Sequence, residues 1–190
     1  MTLRWLMFVA ALPAAARADA TGEVRGVVDA PSAKHVAVWL EGALPPPSLR
    51  ERVAISQRSA RFVPDFVVVA VGQTVDMPND DRMSHNVFSV SPTKKFDLGH
   101  YPQGESRSVK FDRVGVVDLF CNIHENMHAT VVVAPSGFFA SVAPSEQFTI
   151  ARVPPGTYTL VAFAPGAGQK SSTVTVTAGA ASTVRVSLGR

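Results

Sequence analysis

Residues 115–134 read GVVDLFCNIHENMHATVVVA, two valine-rich runs on either side of a polar loop. Short runs rich in β-branched and aromatic residues read as strands. Strands are therefore expected at 115–121 and 128–134, pinning the ends of a short loop between them. Cys121 closes the first run, His124 follows three residues later, and Met127 three after that. Cys121 is the one cysteine of the 190-residue chain, so no internal disulfide can form. In an exported protein a lone thiol is a liability unless it is buried, paired with another chain or held by a metal.

Export is what the N-terminus predicts. Arg4 precedes an apolar run over 5–16, and Ala16-Arg17-Ala18 or Ala18-Asp19-Ala20 supplies a small-x-small cleavage site. That is the grammar of a secretory signal peptide over residues 1–20. The run falls short of the ~20 residues that cross a bilayer, and no later segment reads as a membrane span. No cysteine lies near the cleavage site, so a lipid anchor there is not expected. The formal charge of +3 belongs mostly to this segment: removing Arg4, Arg17 and Asp19 leaves +2. No cluster of Lys and Arg marks a nucleic-acid surface.

The texture of 115–134 repeats along the chain. Strands are expected at 23–29, 35–41, 66–70, 73–77, 85–90 and 106–112, and again at 147–152, 157–164, 171–177 and 181–188. Gly, Pro, Asn and Asp separate them, and strong helix patterns are nearly absent after the signal segment. This is an all-β pattern of sandwich type. Residues 42–62 break it: three consecutive prolines favour an extended connector, and LRERVAIS (49–56) reads as at most one helical turn. Residues 136–190 hold neither Cys nor His and few charges. The expected organisation is a signal peptide at 1–20, one domain at 21–134 with its core at 60–134, and a small β module at 135–190.

The loop residues are chemically matched. A trigonal copper site takes one thiolate, two imidazoles and a weak axial sulfur. Cys121, His124 and Met127 supply three of these, and a second imidazole must come from elsewhere. His85, which opens the strand HNVFSV after the polar turn NDDRMS, is the candidate. A sandwich readily lays that strand beside the one ending at Cys121. His128 starts a strand, where its side chain alternates against its neighbours. His100 falls in a turn and reads as solvated; His35 stands without companions, and Met83 reads as loop filler. A structural zinc site would need a second Cys/His pair, which the sequence does not offer.

NDDRMSHNVF followed by VGVVDLFCNIHENMHATVVV resembles the ligand signature of the cupredoxins, the small blue-copper proteins, over roughly residues 60–134. The Cys-x2-His-x2-Met spacing is similar to the short loop of amicyanin. The resemblance implies a Greek-key β-sandwich and one type 1 copper, with His85, Cys121 and His124 as equatorial ligands and Met127 as axial ligand. It also implies that Asn86 ties the two ligand loops together by hydrogen bonding. Relatives with this loop usually carry proline on both sides of the second histidine; Ile123 and Glu125 stand there here. Residues 136–190, with FTIARVPPGTYTLVAF, resemble transthyretin-like or carboxypeptidase-regulatory β modules. GEVRGVV and VAVWLEG could form the first half of such a module, which would make the cupredoxin an insertion.

By this resemblance the chain is an exported electron carrier, periplasmic or secreted, that works between redox protein partners. An amine or alcohol dehydrogenase and a c-type cytochrome are the partners that amicyanin-like loops imply. Four protein ligands leave no open position for substrate, and the His-x-His clusters of copper oxidases are absent from the sequence, so an enzyme is not expected. Two other readings stay open: a copper-handling protein that binds Cu(I) without cycling, and a non-redox β binding module.

Overall fold

The computed structural model describes residues 20–49 and 52–189. The expected signal peptide thus lies outside the described residues, except for Ala20. Every regular element among the described residues is a strand. In chain order they are β1 (Gly22–Asp29), β2 (Val36–Glu41), β3 (Val53–Ala54), β4 (Ser56–Arg58), β5 (Arg61–Val63), β6 (Phe66–Ala70), β7 (Gln73–Pro78), β8 (His85–Ser89) and β9 (Phe96–Tyr101). There follow β10 (Ser106–Phe111), β11 (Gly115–Phe120), β12 (His128–Ala134), β13 (Phe139–Val142), β14 (Gln147–Val153), β15 (Gly156–Ala164), β16 (Gly168–Val176) and β17 (Ala181–Ser187).

Four sheets stack on one another. An outer sheet β14-β1-β17 faces the sheet β13-β2-β15-β16, and Val24, Val28, Val38, Leu40, Phe148 and Leu160 help fill the space between them. The sheet β6-β12-β11-β8-β9 faces β10-β7-β3 across a second core that includes Met77, Val87, Phe111, Val117, Leu119 and Val131. A third apolar cluster joins the two inner sheets. It is built from Ala37 and Trp39 of β2, Phe66 and Val68 of β6, Val132 and Ala134 of β12, and Val161 of β15.

This stacking accounts for a feature of the sequence. A strand with one wet face alternates apolar and polar residues, whereas a strand covered on both faces reads as a continuous apolar run. VAVWL, FVVVA, ATVVVA and LVAFA belong to the four strands that meet at the seam. In β12, Val131 and Val133 point into the second core while Val132 and Ala134 point into the seam. β1 alternates instead, with Val24, Gly26 and Val28 buried. A Cβ on Gly26 would run into the Val184 carbonyl oxygen and the Phe148 ring, so the tight fit of β1 between β14 and β17 requires glycine there.

The pairing of the first strands bears on the domain grouping, and one expectation fails. β1 pairs with β14 and β17, and β2 pairs with β13 and β15. The first strands therefore hydrogen-bond to the C-terminal strands, not to residues 50–134. This is the pairing expected if GEVRGVV and VAVWLEG form the first half of the C-terminal β module. Local periodicity shows that VAVWL needs cover on both faces, but not which strands provide it. The connector 42–62 also holds structure: β3 pairs in parallel with β7, and β4 and β5 form a hairpin. No helical turn occurs over the described residues of LRERVAIS, where Val53 and Ala54 are strand.

Candidate metal centre

β11 lies between β8 and β12, with Phe120 opposite Phe88 on one side and His128 on the other. Cys121 directly follows β11, and His85 is the first residue of β8. The antiparallel pairing brings the thiol sulfur to 3.9 Å from His85 Nδ1. The loop from Asn122 to Met127 is closed by a turn in which the Met127 N–H donates to the His124 carbonyl at 3.0 Å. That turn returns His124 over the cluster. Its ring stands edge-on to His85, with centroids 5.0 Å apart at 61°.

One ligand atom each from His85, Cys121 and His124 lies within 4.8 Å of the others. His85 is fully buried and Cys121 6 % exposed, while His124 is partly exposed. Met127 is fully buried in the same apolar cluster as Cys121. The donor set fits one metal ion. His124 Nδ1 is buried with no hydrogen-bond partner, and an orphaned buried nitrogen costs free energy unless something binds it. For an ion bound at roughly 2.0 Å to nitrogen and 2.3 Å to sulfur, with about 120° between the bonds, the two donors stand about 3.7 Å apart. The Cys121–His85 separation of 3.9 Å agrees with this.

Around the cluster the polar groups are tightly held. Asn86 is buried; its Oδ1 accepts the Asn122 N–H at 2.8 Å, and its Nδ2 donates to Asp97 at 3.3 Å. β8 is thereby bonded to the residue after Cys121. Asp81 Oδ2 lies 3.0 Å from His85 Nε2. The Ala60 amide, and after it His85, holds the Asp81 carboxyl below the usual 3.8. Below the site, the Tyr101 hydroxyl donates to the Met77 carbonyl at 2.8 Å and accepts from Gln57 Nε2 at 2.6 Å. Burial pushes its pKa up to about 12.

The remaining histidines stay outside the cluster. His128 Nε2 lies 3.1 Å from Asp118 and its ring packs against Phe120. His35 pairs with Asp65 and stacks on Phe66. His100 is in β9 and not in a turn; it is exposed, yet its Nε2 lies 3.0 Å from Asn122 Oδ1 on the ligand loop. Sequence reasoning took NDD only as a polar turn and so missed Asp81. The available signal was an acid four residues before a histidine. A groove of about 610 Å³ lies beside the cluster, lined by Lys34, Ser59, Arg61, Asp65, Asn126 and His128 among others.

Residues 50–134 match the family of copper binding proteins, plastocyanin/azurin family. This stretch is similar to that family's copper-binding domain. The metal of that family is copper, and the His85, Cys121 and His124 cluster can hold one ion. Residues 134–184 match domain II of polysaccharide lyase family 4, a fibronectin-like β domain, in the region expected to hold a transthyretin-like module. No curated protein matches the chain.

Among solved structures, the purple cupredoxin of Nitrosopumilus maritimus is 23% identical, with 43% of this chain and 99% of that one covered at a TM-score of 0.40. A reduced, Cu(I) form of an amicyanin variant is 21% identical, with 51% and 98% covered at a TM-score of 0.42. The copper-containing nitrite reductase of Thermus scotoductus is 20% identical, with 47% of this chain and 25% of that one covered at a TM-score of 0.42. The family match covers residues 50–134, and these structures share the fold over a similar part of the chain.

Proposed function

We propose that the protein is an exported one-electron carrier, periplasmic or secreted, with a single type 1 copper. His85, Cys121 and His124 would hold the metal, with the Met127 thioether as a weaker fourth ligand. The observation that carries this reading is the convergence of one buried thiol and two imidazoles, one of them with an orphaned nitrogen. Thiolate and thioether favour Cu(I), imidazole tolerates both oxidation states, and copper so bound supplies a one-electron couple.

The chain's own residues do the rest. β8 and β11 fix His85 and Cys121 on a rigid sheet, and the Asn86–Asn122 hydrogen bond ties the ligand loop to that sheet. Ligands held in one arrangement change little between oxidation states. Burial of His85, Cys121 and Met127 keeps water from the sulfurs. Of the four, only His124 reaches the surface; Ile123, next to it in the chain, and Met83, two residues before His85, are 47% and 48% exposed. A redox protein partner is proposed to dock there. Four protein ligands would leave no position for a substrate, so the site is read as a carrier and not as an enzyme.

The test is copper analysis with an optical spectrum of the purified protein and of Cys121→Ser. One copper per chain and an intense thiolate-to-copper charge-transfer band, lost in C121S, support the proposal. Tight Cu(I) binding without a stable blue oxidised form would make it a copper-handling protein instead. Absence of copper would leave a β binding module.

A further inference from the structure

We propose that Asp81 is a positioning residue for His85, and that its carboxylate biases the site toward oxidised copper. The inference rests on the copper reading above. Burial closes the His85 ring off from water, so its two nitrogens depend on protein partners. Nδ1 faces the Cys121 sulfur and Nε2 faces Asp81 Oδ2 at 3.0 Å. A carboxylate only accepts hydrogen bonds, so the imidazole proton sits on Nε2 and the Nδ1 lone pair points toward the sulfur. That is the tautomer a metal at the cluster needs.

The carboxylate is itself clamped. Oδ2 accepts the Ala60 N–H at 2.7 Å, and Oδ1 accepts the Arg82 N–H at 2.9 Å. The Asp81 N–H donates to Asn79 Oδ1 at 2.9 Å. Asn79 is fully buried, and its amide donates to the carbonyls of Met83 and Tyr101, each at 2.9 Å. Ala60 and Ser59 form the two-residue turn of the β4–β5 hairpin at φ of 52° and 50°. Residues other than glycine seldom adopt that conformation, and such backbone persists where the surroundings over-determine it. Here the turn aims its amide at Asp81. The neighbouring Asp80 has the same charge but a different target: it bonds Ser56 and Arg58.

A carboxylate behind a ligating histidine fixes the ring and raises the basicity of its other nitrogen, and loss of such a partner typically lowers metal affinity by about 10–100-fold. The added electron density favours the more highly charged ion, so Cu(II) gains more than Cu(I).

Three measurements test this. In the metal-free wild type, nitrogen NMR should find His85 as the single Nε2–H tautomer; the Nδ1–H tautomer would overturn the proposal. Asp81→Asn removes the charge and leaves an oxygen for the Ala60 amide. Competition with chelators of known affinity should show Cu(II) binding weakened by about 10-fold or more, with Cu(I) binding changed far less. The reduction potential should rise by about 59 mV for each tenfold change in that ratio. Asp80→Asn should leave all three readouts near wild type. An unchanged affinity ratio and tautomer in D81N would overturn the proposal. So would an equal effect of D80N, because general surface charge would then explain the shift. If the wild type took up no copper, the electron-carrier reading would fail, while the tautomer measurement would still decide the role of Asp81.

Discussion

Phe66→Ala tests the seam between the two sandwiches. Phe66 is 6% exposed, stacks on His35 with ring centroids 5.0 Å apart, and belongs to the cluster with Trp39, Val132 and Val161. Its truncation removes most of a buried aromatic side chain and leaves a cavity whose walls lie on rigid strands. Such changes cost about 3–5 kcal/mol. In a chain of this size each kcal/mol moves Tm by about 2–4 °C, so the expected drop is about 6–20 °C. Calorimetry of the metal-free protein measures it directly. Trp39 emission gives a second probe, because that indole sits in the seam, 7% exposed and bonded to Glu41. The seam joins both sandwiches, so both probes should show one transition that moves as a whole. A drop below about 2 °C, or two transitions of which only one moves, would refute the reasoning.

Met127→Leu should keep copper and raise the reduction potential, because the proposed thioether ligand is lost while the buried volume is nearly conserved; a stability change under about 1.5 kcal/mol is expected. Redox titration against wild type checks it. Asn86→Ala leaves the Asn122 N–H without its acceptor and should cost about 1–3 kcal/mol; copper should also pass faster to a chelator in a stopped-flow challenge. Acid stability follows from surface carboxylates. Ser108 and then Arg52 hold Asp76 below 3.8, and Ser56 and then Arg58 do the same for Asp80. A carboxyl whose folded pKa is depressed stabilises the fold above its unfolded value, and that contribution is lost as pH falls through the folded one. The urea midpoint of the metal-free protein should therefore fall as pH drops below about 5. Ser108→Ala should flatten that slope.

How much of this was legible in the sequence depends on the range of the interaction. Cys121, His124 and Met127 share one loop, between β11 and β12, so their spacing alone suggests a site. His85 was reachable because it opens a strand in a fold that lays β8 against β11. Asp81 was not, since Asp80 and Asp81 are identical in type and adjacent. Only the β4–β5 turn, through the Ala60 amide, decides which of them faces the histidine. The strands themselves were plain where they are long and valine-rich. β4 and β5 were missed because three-residue strands carrying Arg58 and Arg61 show almost no apolar period. β9 was missed because Gly99, at φ 65°, and two polar residues interrupt its edge-strand pattern. The partners of β1 and β2 lie more than a hundred residues away along the chain, and no local pattern encodes that choice.

The central claim is that His85, Cys121 and His124 share one copper ion. X-ray absorption at the copper edge of the oxidised protein tests it most directly. One short copper–sulfur distance and two copper–imidazole nitrogens per copper are expected, with the sulfur lost in Cys121→Ser. A spectrum of nitrogen and oxygen ligands alone, unchanged in that variant, would contradict it.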